Sequence, residues 1–360
     1  MVRLSDVLGP DGSLKPPTKG EEKKPSGEKV PSQQIASSTP SKKVMPPLAE
    51  PERGEAATLY EEAIEWVKQK FTEAEKGPIA DVSGGPEIAE RIVKVLLGDG
   101  ESLLTLAALP KEGYHLYSHC VNVSILCIKV GQGLHYRQQE LVQLGIAALV
   151  HDLGMAKVPK ELVEKTGTLS DEELAIVRKH PIYTVEVLEG AKGLDRTILD
   201  AILHEHERLD GTGYPKGLKE EQVSEFGGVI AIVDVYEALT HPRPYRKRYT
   251  QDEAMKMIAY SMGNQFKGEH VRILKALVKE LSIYPVGSFV QLNTKEIGQV
   301  VRVNKNFPLL PMIDIYLDTK GDRLPEIKRI NLAQEPLLHI KKSVDIFEVA
   351  KGETWLSNMS

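Results

Sequence analysis

Apolar residues recur at three- and four-residue spacing through most of this chain, and the period drops to two only near its end. From Leu59, LYEEAIEWVKQKF reads as an amphipathic helix, and IAERIVKVLLG as a second one stopped by Gly98. SLLTLAAL, LYSHCVNVSILCIKVG, QELVQLGIAALVHDLG, DEELAIVRKH, YTVEVLEGA, RTILDAILHEHER and FGGVIAIVDVYEALT continue the helical period, and EAMKMIAYSM and EHVRILKALVKEL complete it. Ser170 and Glu173 have the spacing of a capping box. After Tyr284 and Pro285 the pattern alternates: SFVQLN, GQVVRVN and PMIDIYLD predict strands of a small antiparallel unit. The predicted fold class is mainly α, a helical body followed by this β appendage.

Residues 1–55 are rich in Pro, Ser, Lys and Glu and poor in large apolar side chains, so they are expected to form a disordered tail. The divisions that follow are an N-terminal helical region at 56–98, a helical domain at 99–284, the β appendage at 285–345 and a C-terminal tail at 346–360. No apolar run approaches the length of a membrane span, and the opening MVRLSDVLGPDGS lacks the layout of a secretory signal. A cytoplasmic location is the expectation. Cys120 and Cys127 lie seven residues apart on a helical pattern, which at about 1.5 Å per residue is too far for a disulfide. A formal net charge of -5 argues against a dedicated DNA- or RNA-binding protein. It leaves room for a local basic pocket that takes a small phosphate ligand.

Candidate chemistry concentrates at helix ends. His151-Asp152 closes the apolar stretch QLGIAALV, where a buried carboxylate beside an imidazole needs a partner. His119 lies on the preceding helix with His115 one turn earlier, a spacing that places both rings on one face. His180 stands just before Pro181, and His204, Glu205, His206 and Glu207 follow TILDAIL. Asp234 interrupts an otherwise apolar helix. Taken singly, each is more readily a satisfied core or capping residue. Together they mix imidazoles with carboxylates, a donor set that suits first-row transition metals, and they are too many for a single ion. Two or three metals are expected, with Asp152 as the bridging ligand; two metals a few ångströms apart suit phosphate ester hydrolysis. RLDGTGYPKGL, residues 208–218, reads as a compact loop that offers Tyr214. HPRPYRKRY, residues 241–249, offers Arg243 and Arg246 as phosphate grips, with Lys247 and Arg248 beside them.

These motifs, chained from His119 through HDLG, His180-Pro181, HEHERLDGTGYP, the Asp234 helix and RPYR, resemble the HD-GYP family of metal-dependent phosphohydrolases over roughly residues 100–282. The resemblance implies an all-helical HD-type bundle and hydrolysis of the bacterial second messenger cyclic di-GMP, or a related cyclic dinucleotide. It also implies a centre of two or three ions, iron or manganese first, with nickel or zinc compatible. Carried over by position, His119, His151, Asp152 and Asp234 hold one ion, and Asp152, His180, His206 and position 205 hold the second. Tyr214, Arg243 and Arg246 line the dinucleotide pocket, and attack comes from a hydroxide bridging the metals at Asp152, with His151 beside it. Partners in second-messenger signalling and a homodimer are in keeping with the resemblance.

The chain departs from the family pattern at three positions. The family reads His-His-Glu where this chain has Glu205-His206-Glu207, its lysine three residues after the His-Asp pair is Met155, and the glutamate of three-metal members is His115. Lys157 is the nearest replacement in sequence for the missing lysine, although two residues on a helix turn about 200°. Positions 115 and 205 have exchanged acid for imidazole, which keeps the number of ligands and predicts a trinuclear site with altered donors. The competing expectation is a degenerate domain that senses the messenger, or binds a protein, with little turnover.

Overall fold

The helical period that begins at Leu59 is realised almost without interruption. The computed structural model describes residues 54–98, 101–108, 116–165, 167–241, 249–261, 269–304 and 306–344. Its helices are α1 (Glu55–Lys76), α2 (Gly84–Leu97), α3 (Glu101–Ala108), α4 (Leu116–Gly133), α5 (Gln138–Val150), α6 (Lys160–Val163), α7 (Asp171–Val177), α8 (His180–Leu188), α9 (Arg196–His204), α10 (Glu225–Thr240), α11 (Gln251–Ser261) and α12 (Glu269–Leu281). One continuous core runs through them, from Leu59 on α1 to Leu277 on α12. Helix α10 is its axis: every residue from Phe226 to Leu239 is buried. A helix apolar on all faces has to be surrounded, and α4, α9, α11 and α12 pack around it. Among the described residues no helix is long and apolar enough to cross a membrane.

The sheet that follows is antiparallel, in the order β4-β3-β2-β1-β5. Its strands are β1 (Phe289–Leu292), β2 (Ile297–Arg302), β3 (Met312–Leu317), β4 (Arg323–Asn331) and β5 (Ile340–Ser343). Val290, Leu292, Val300, Ile313, Ile315 and Ile330 form a separate core on one face. The alternation of β1 to β3 is visible in the sequence. Strands β4 and β5 are not, because they are the two edges. Most of β4 is exposed and it contains Pro325, which an edge strand tolerates where a central one does not.

Three predicted helices end earlier than their apolar pattern, and each early end falls at a candidate ligand. Helix α5 stops at Val150, so His151 and Asp152 lie in the turn into a short 3₁₀ segment, Leu153–Lys157. DEELAIVRKH divides: α7 ends at Val177, and His180 opens α8 with Pro181 in its first turn, where a missing N–H costs nothing. Helix α9 ends at His204, leaving Glu205 to Glu207 just beyond it. The capping box at Ser170 and Glu173 forms as expected. Cys120 and Cys127 are buried free thiols. Residues 1–53 of the expected N-terminal tail, the C-terminal tail, His115, Arg243 and Arg246 lie outside the described residues, and Glu55, placed at the end of the tail, is the first residue of α1.

The 3₁₀ segment is pressed against the start of α8. Thr184 Oγ1 accepts from the Gly154 N–H at 2.8 Å and lies 2.8 Å from the His151 carbonyl oxygen and 2.9 Å from that of His180. A β-carbon at Gly154 would fall 2.1 Å from the His180 carbonyl oxygen and 2.4 Å from the Thr184 nitrogen. Gly154→Ala therefore has to separate the two segments. The expected loss of unfolding free energy is about 3 kcal/mol, at the upper end of overpacking effects, read from denaturant titration. A loss under about 0.5 kcal/mol would mean that this approach is not tight in solution.

Candidate metal centre

Five helix ends or helix interiors deliver the candidate ligands to one place. His119 comes from the first turns of α4, His151 and Asp152 from the turn after α5, His180 from the start of α8, Glu205 and His206 from the turn after α9, and Asp234 from the middle of α10. None exposes more than 2 % of its surface, and His151, Asp152, His180, Glu205 and Asp234 expose none.

Within this buried space the side chains sort into two groups, each of which could hold a metal ion: His119, His151 and Asp234, and His180, Glu205 and His206. In the first, His119 Nε2 lies 3.1 Å from Asp234 Oδ1, and the His119 and His151 ring centres are 5.4 Å apart. In the second, His180 Nε2 and His206 Nε2 lie 2.9 Å apart, and Glu205 Oε1 stands 3.3 Å from the former and 3.6 Å from the latter. Asp152 stands between them. Its Oδ2 is 3.7 Å from Nε2 of both His119 and His151, while its Oδ1 is 3.3 Å from His180 Nε2. One carboxylate thus turns one oxygen to each group.

The outer nitrogen of three rings is fixed by the protein. His151 Nδ1 donates to the Ala148 carbonyl and His180 Nδ1 to the Val177 carbonyl, each at 2.8 Å, and His119 Nδ1 meets Glu237 Oε2 at 2.6 Å. Each contact holds a proton on Nδ1 and turns Nε2 inward, as a metal-binding imidazole requires. Glu237 is itself held. Its Oε1 accepts from Asn122 Nδ2 at 3.0 Å and lies 3.3 Å from His241 Nδ1, and Asn122 Oδ1 accepts from the Tyr60 hydroxyl at 2.7 Å.

The electrostatics are unsettled without a cation. Burial, reinforced by Asp152, raises Glu205 well above the ordinary carboxyl range. Both Glu205 oxygens are buried with no hydrogen-bond partner among the described residues, as is His151 Nε2. Burial alone would depress His119, but the carboxylates of Glu237 and Asp234 outweigh it and bring the ring up to about 9. The same pairing holds Asp234 down at about 2 despite its burial. Orphaned oxygens and nitrogens that converge in a space closed to water are costly. Divalent cations bound by imidazole and carboxylate satisfy all of them, so the donor set fits.

The rest of the expected site is partly assembled. Tyr214 stacks on His206, with ring centres 4.7 Å apart and an interplanar angle of 23°. Buried Glu207 holds the loop there: its oxygens accept from the backbone N–H groups of Lys216 and Leu218 at 2.7 and 2.8 Å. A β-carbon at Gly213 would collide with the Glu207 and Arg208 backbone, which is why the loop can fold so closely over His206. Met155 is buried. Lys157 is exposed, with Nζ 3.5 Å from the Glu75 carbonyl on α1, so the structure does not bring it into the cluster. Arg178 carries a cation the sequence reading overlooked: its guanidinium carbon is 5.3 Å from the Tyr214 ring centre. Glu237 was overlooked too, although it interrupts the same apolar helix one turn after Asp234.

Comparison with known proteins gives the family to which this region is similar. Residues 104–269 match the HD domain family, and residues 289–352 match the KOW domain associated with HD domain. A cyclic di-GMP phosphodiesterase of Pseudomonas aeruginosa is 32 % identical over 74 % of this chain and 63 % of its own length. The cyclic di-GMP phosphodiesterase PdeB of Borreliella burgdorferi is 31 % identical over 58 % of this chain and 54 % of its own. This chain therefore spans less than two thirds of either relative. A solved structure, an HDG"Y"P protein from Bdellovibrio bacteriovorus, shares the fold with a TM-score of 0.53 at 22 % identity, over 62 % of this chain and 71 % of that one. The matches place an HD domain at residues 104–269 and a KOW domain of the kind associated with it at residues 289–352.

Proposed function

We propose that this chain hydrolyses a phosphodiester bond of cyclic di-GMP at a dinuclear metal centre. Asp152 carries the reading, because its two oxygens face different ligand groups. His119, His151 and Asp234 would hold one divalent ion, and His180, Glu205 and His206 the other, with Asp152 shared. Iron or manganese suits these mixed donors. Such a pair would supply a nucleophilic hydroxide at neutral pH and would offset charge on the phosphate, with Asp152 as the residue shared by the two ions. A third ion would depend on His115. The curated relatives, named as cyclic di-GMP phosphodiesterases, support the choice of substrate.

The protein's own groups set the conditions. Glu237 keeps the His119 proton on Nδ1, and the Ala148 and Val177 carbonyls do the same for His151 and His180. Tyr214, fixed against His206, forms one wall beside the second ion. Arg178 replaces the cation that Met155 cannot supply, and Arg243 and Arg246, which follow α10 closely, are assigned to the same phosphates. A binding-only reading draws on Met155 and Glu205, which remove a cation and add an acid.

Manganese-loaded protein is expected to convert cyclic di-GMP to a linear dinucleotide or GMP. Asp152→Ala should abolish turnover by at least about a thousandfold, in the range seen when central electrostatic groups are removed. Tight binding by the unsubstituted protein without product would establish the sensor reading instead. Arg178→Gln should raise KM roughly tenfold, about 1.4 kcal/mol, with the metal content unchanged; an unaltered KM removes Arg178 from the substrate site.

Metal uptake should also be coupled to a proton. With the metal-free His119 at about 9, a proton competes for Nε2 at every pH below that value. Manganese affinity should therefore climb toward about pH 9, by no more than about tenfold per pH unit from this group, and then level off. Calorimetric titration in buffers of different ionisation enthalpy reads the released proton. Affinity independent of pH between about 7 and 9 would show that His119 enters the site already neutral.

A further inference from the structure

Helix α1 lies ahead of the segment that matches the HD domain, yet it reaches the metal centre through a chain of buried hydrogen bonds. We propose that Tyr60 is a positioning residue for the first cation, acting through Asn122 and Glu237 on His119. The inference rests on the reading that His119 binds a metal.

Every link in the chain is directional. The Tyr60 hydroxyl donates to Asn122 Oδ1 at 2.7 Å, Asn122 Nδ2 donates to Glu237 Oε1 at 3.0 Å, and Glu237 Oε2 receives His119 Nδ1 at 2.6 Å. Tyr60, Asn122, His119 and Glu237 are all at least 95 % buried, so water does not replace a lost link. An amide has one acceptor end and one donor end. Glu237 offers only acceptors, so Asn122 turns its nitrogen toward Glu237 and its oxygen toward α1, where the Tyr60 hydroxyl donates to it. Without that hydroxyl the buried amide oxygen loses the donor that α1 supplies, and a shift of Asn122 to regain one would weaken its bond to Glu237 Oε1. Glu237 would then be held less firmly against His119 Nδ1. Partners of this kind orient metal-binding imidazoles, and removing them typically costs about ten- to a hundredfold in metal affinity.

These hydrogen bonds end on His119, in the first group. His151 and His180 take their orientation from carbonyls in their own turns, three residues back. Loss of the Tyr60 hydroxyl alone, with the rest of α1 in place, is therefore felt first at the cation that His119 would hold.

The test is manganese titration of the full chain and of Tyr60→Phe, followed by calorimetry and by electron paramagnetic resonance, which separates an exchange-coupled pair from a single ion. The expected result is roughly a tenfold loss at one site with the other unchanged, so that half-loaded Tyr60→Phe gives the single-ion spectrum. Glu237→Gln, which leaves α1 untouched, should show the same selective loss. Unchanged affinity at both sites in Tyr60→Phe overturns the proposal, whatever happens to its melting temperature. Equal loss at both sites also overturns it, since that would report general loosening. Selective loss in Glu237→Gln alone confines the effect to Glu237 and removes α1 from the centre. The unsubstituted protein separates the two claims: if it fails to bind two manganese ions, the dinuclear reading falls; if it binds two and Tyr60→Phe behaves identically, only the role of Tyr60 falls.

Discussion

Seven ionisable side chains face one another in a space closed to water, and the fold is arranged around keeping them there. Three are carboxylates, at Asp152, Glu205 and Asp234, and four are imidazoles, at His119, His151, His180 and His206. Charges of this kind are not left in a low-dielectric interior without compensation. Mutual pairing between rings and acids supplies part of it, as the opposed displacements of His119 and Asp234 show. It cannot supply all of it, because Glu205 is driven toward its neutral form and its oxygens have no hydrogen-bond donor among the described residues. Cations held by imidazole and carboxylate would complete the balance.

The surrounding helices explain how such a cluster survives. Three ligand segments sit where a helix stops or starts, and there the backbone has unpaired carbonyls to offer. His151 and His180 each use one of them, three residues back, to fix the ring. His119 is inside a helix, where carbonyls are already engaged, so its outer nitrogen needs a side chain. Glu237 on the fully buried α10 fills that need, and the requirement propagates to Asn122 and Tyr60. The difference between local and remote support follows directly from where each histidine lies relative to its helix.

Much of this was legible in the sequence. Helical periodicity placed the bundle, alternation placed β1 to β3, and the rule that a charge in an apolar run needs a partner picked out His151-Asp152 and Asp234. Applied once more to the same run, that rule would have found Glu237. Where each helix stops was not legible: past Val150 the apolar spacing continues to Leu153, and past His204 the polar run holds no Gly or Pro to mark a stop, while the backbone turns away to present the ligands. Arg178 and Tyr60 were invisible for another reason. Each matters only through a contact with a residue far along the chain, Tyr214 and Asn122, and no local pattern encodes it. Lys157 shows the opposite error: it is close to Asp152 in sequence, but the 3₁₀ turn directs it to the end of α1.

The two unusual positions in the cluster have one electrostatic consequence. Glu205 gives each group the same composition, two imidazoles and one carboxylate, with Asp152 common to both. On the dinuclear reading, three carboxylates against two divalent ions leave one positive charge, where a neutral imidazole at 205 would leave two. Such a site would attract an anionic phosphodiester less strongly than one with an imidazole at 205. Met155 offers no cation nearby either. The phosphate would then be drawn by groups outside the ligand set; among the described residues Arg178, held against Tyr214, and Arg208, whose charge acts on His206, are guanidinium groups near the second group. On that reading, substrate affinity would be separated from the metal ligands more completely than with an imidazole at 205 and a lysine at 155.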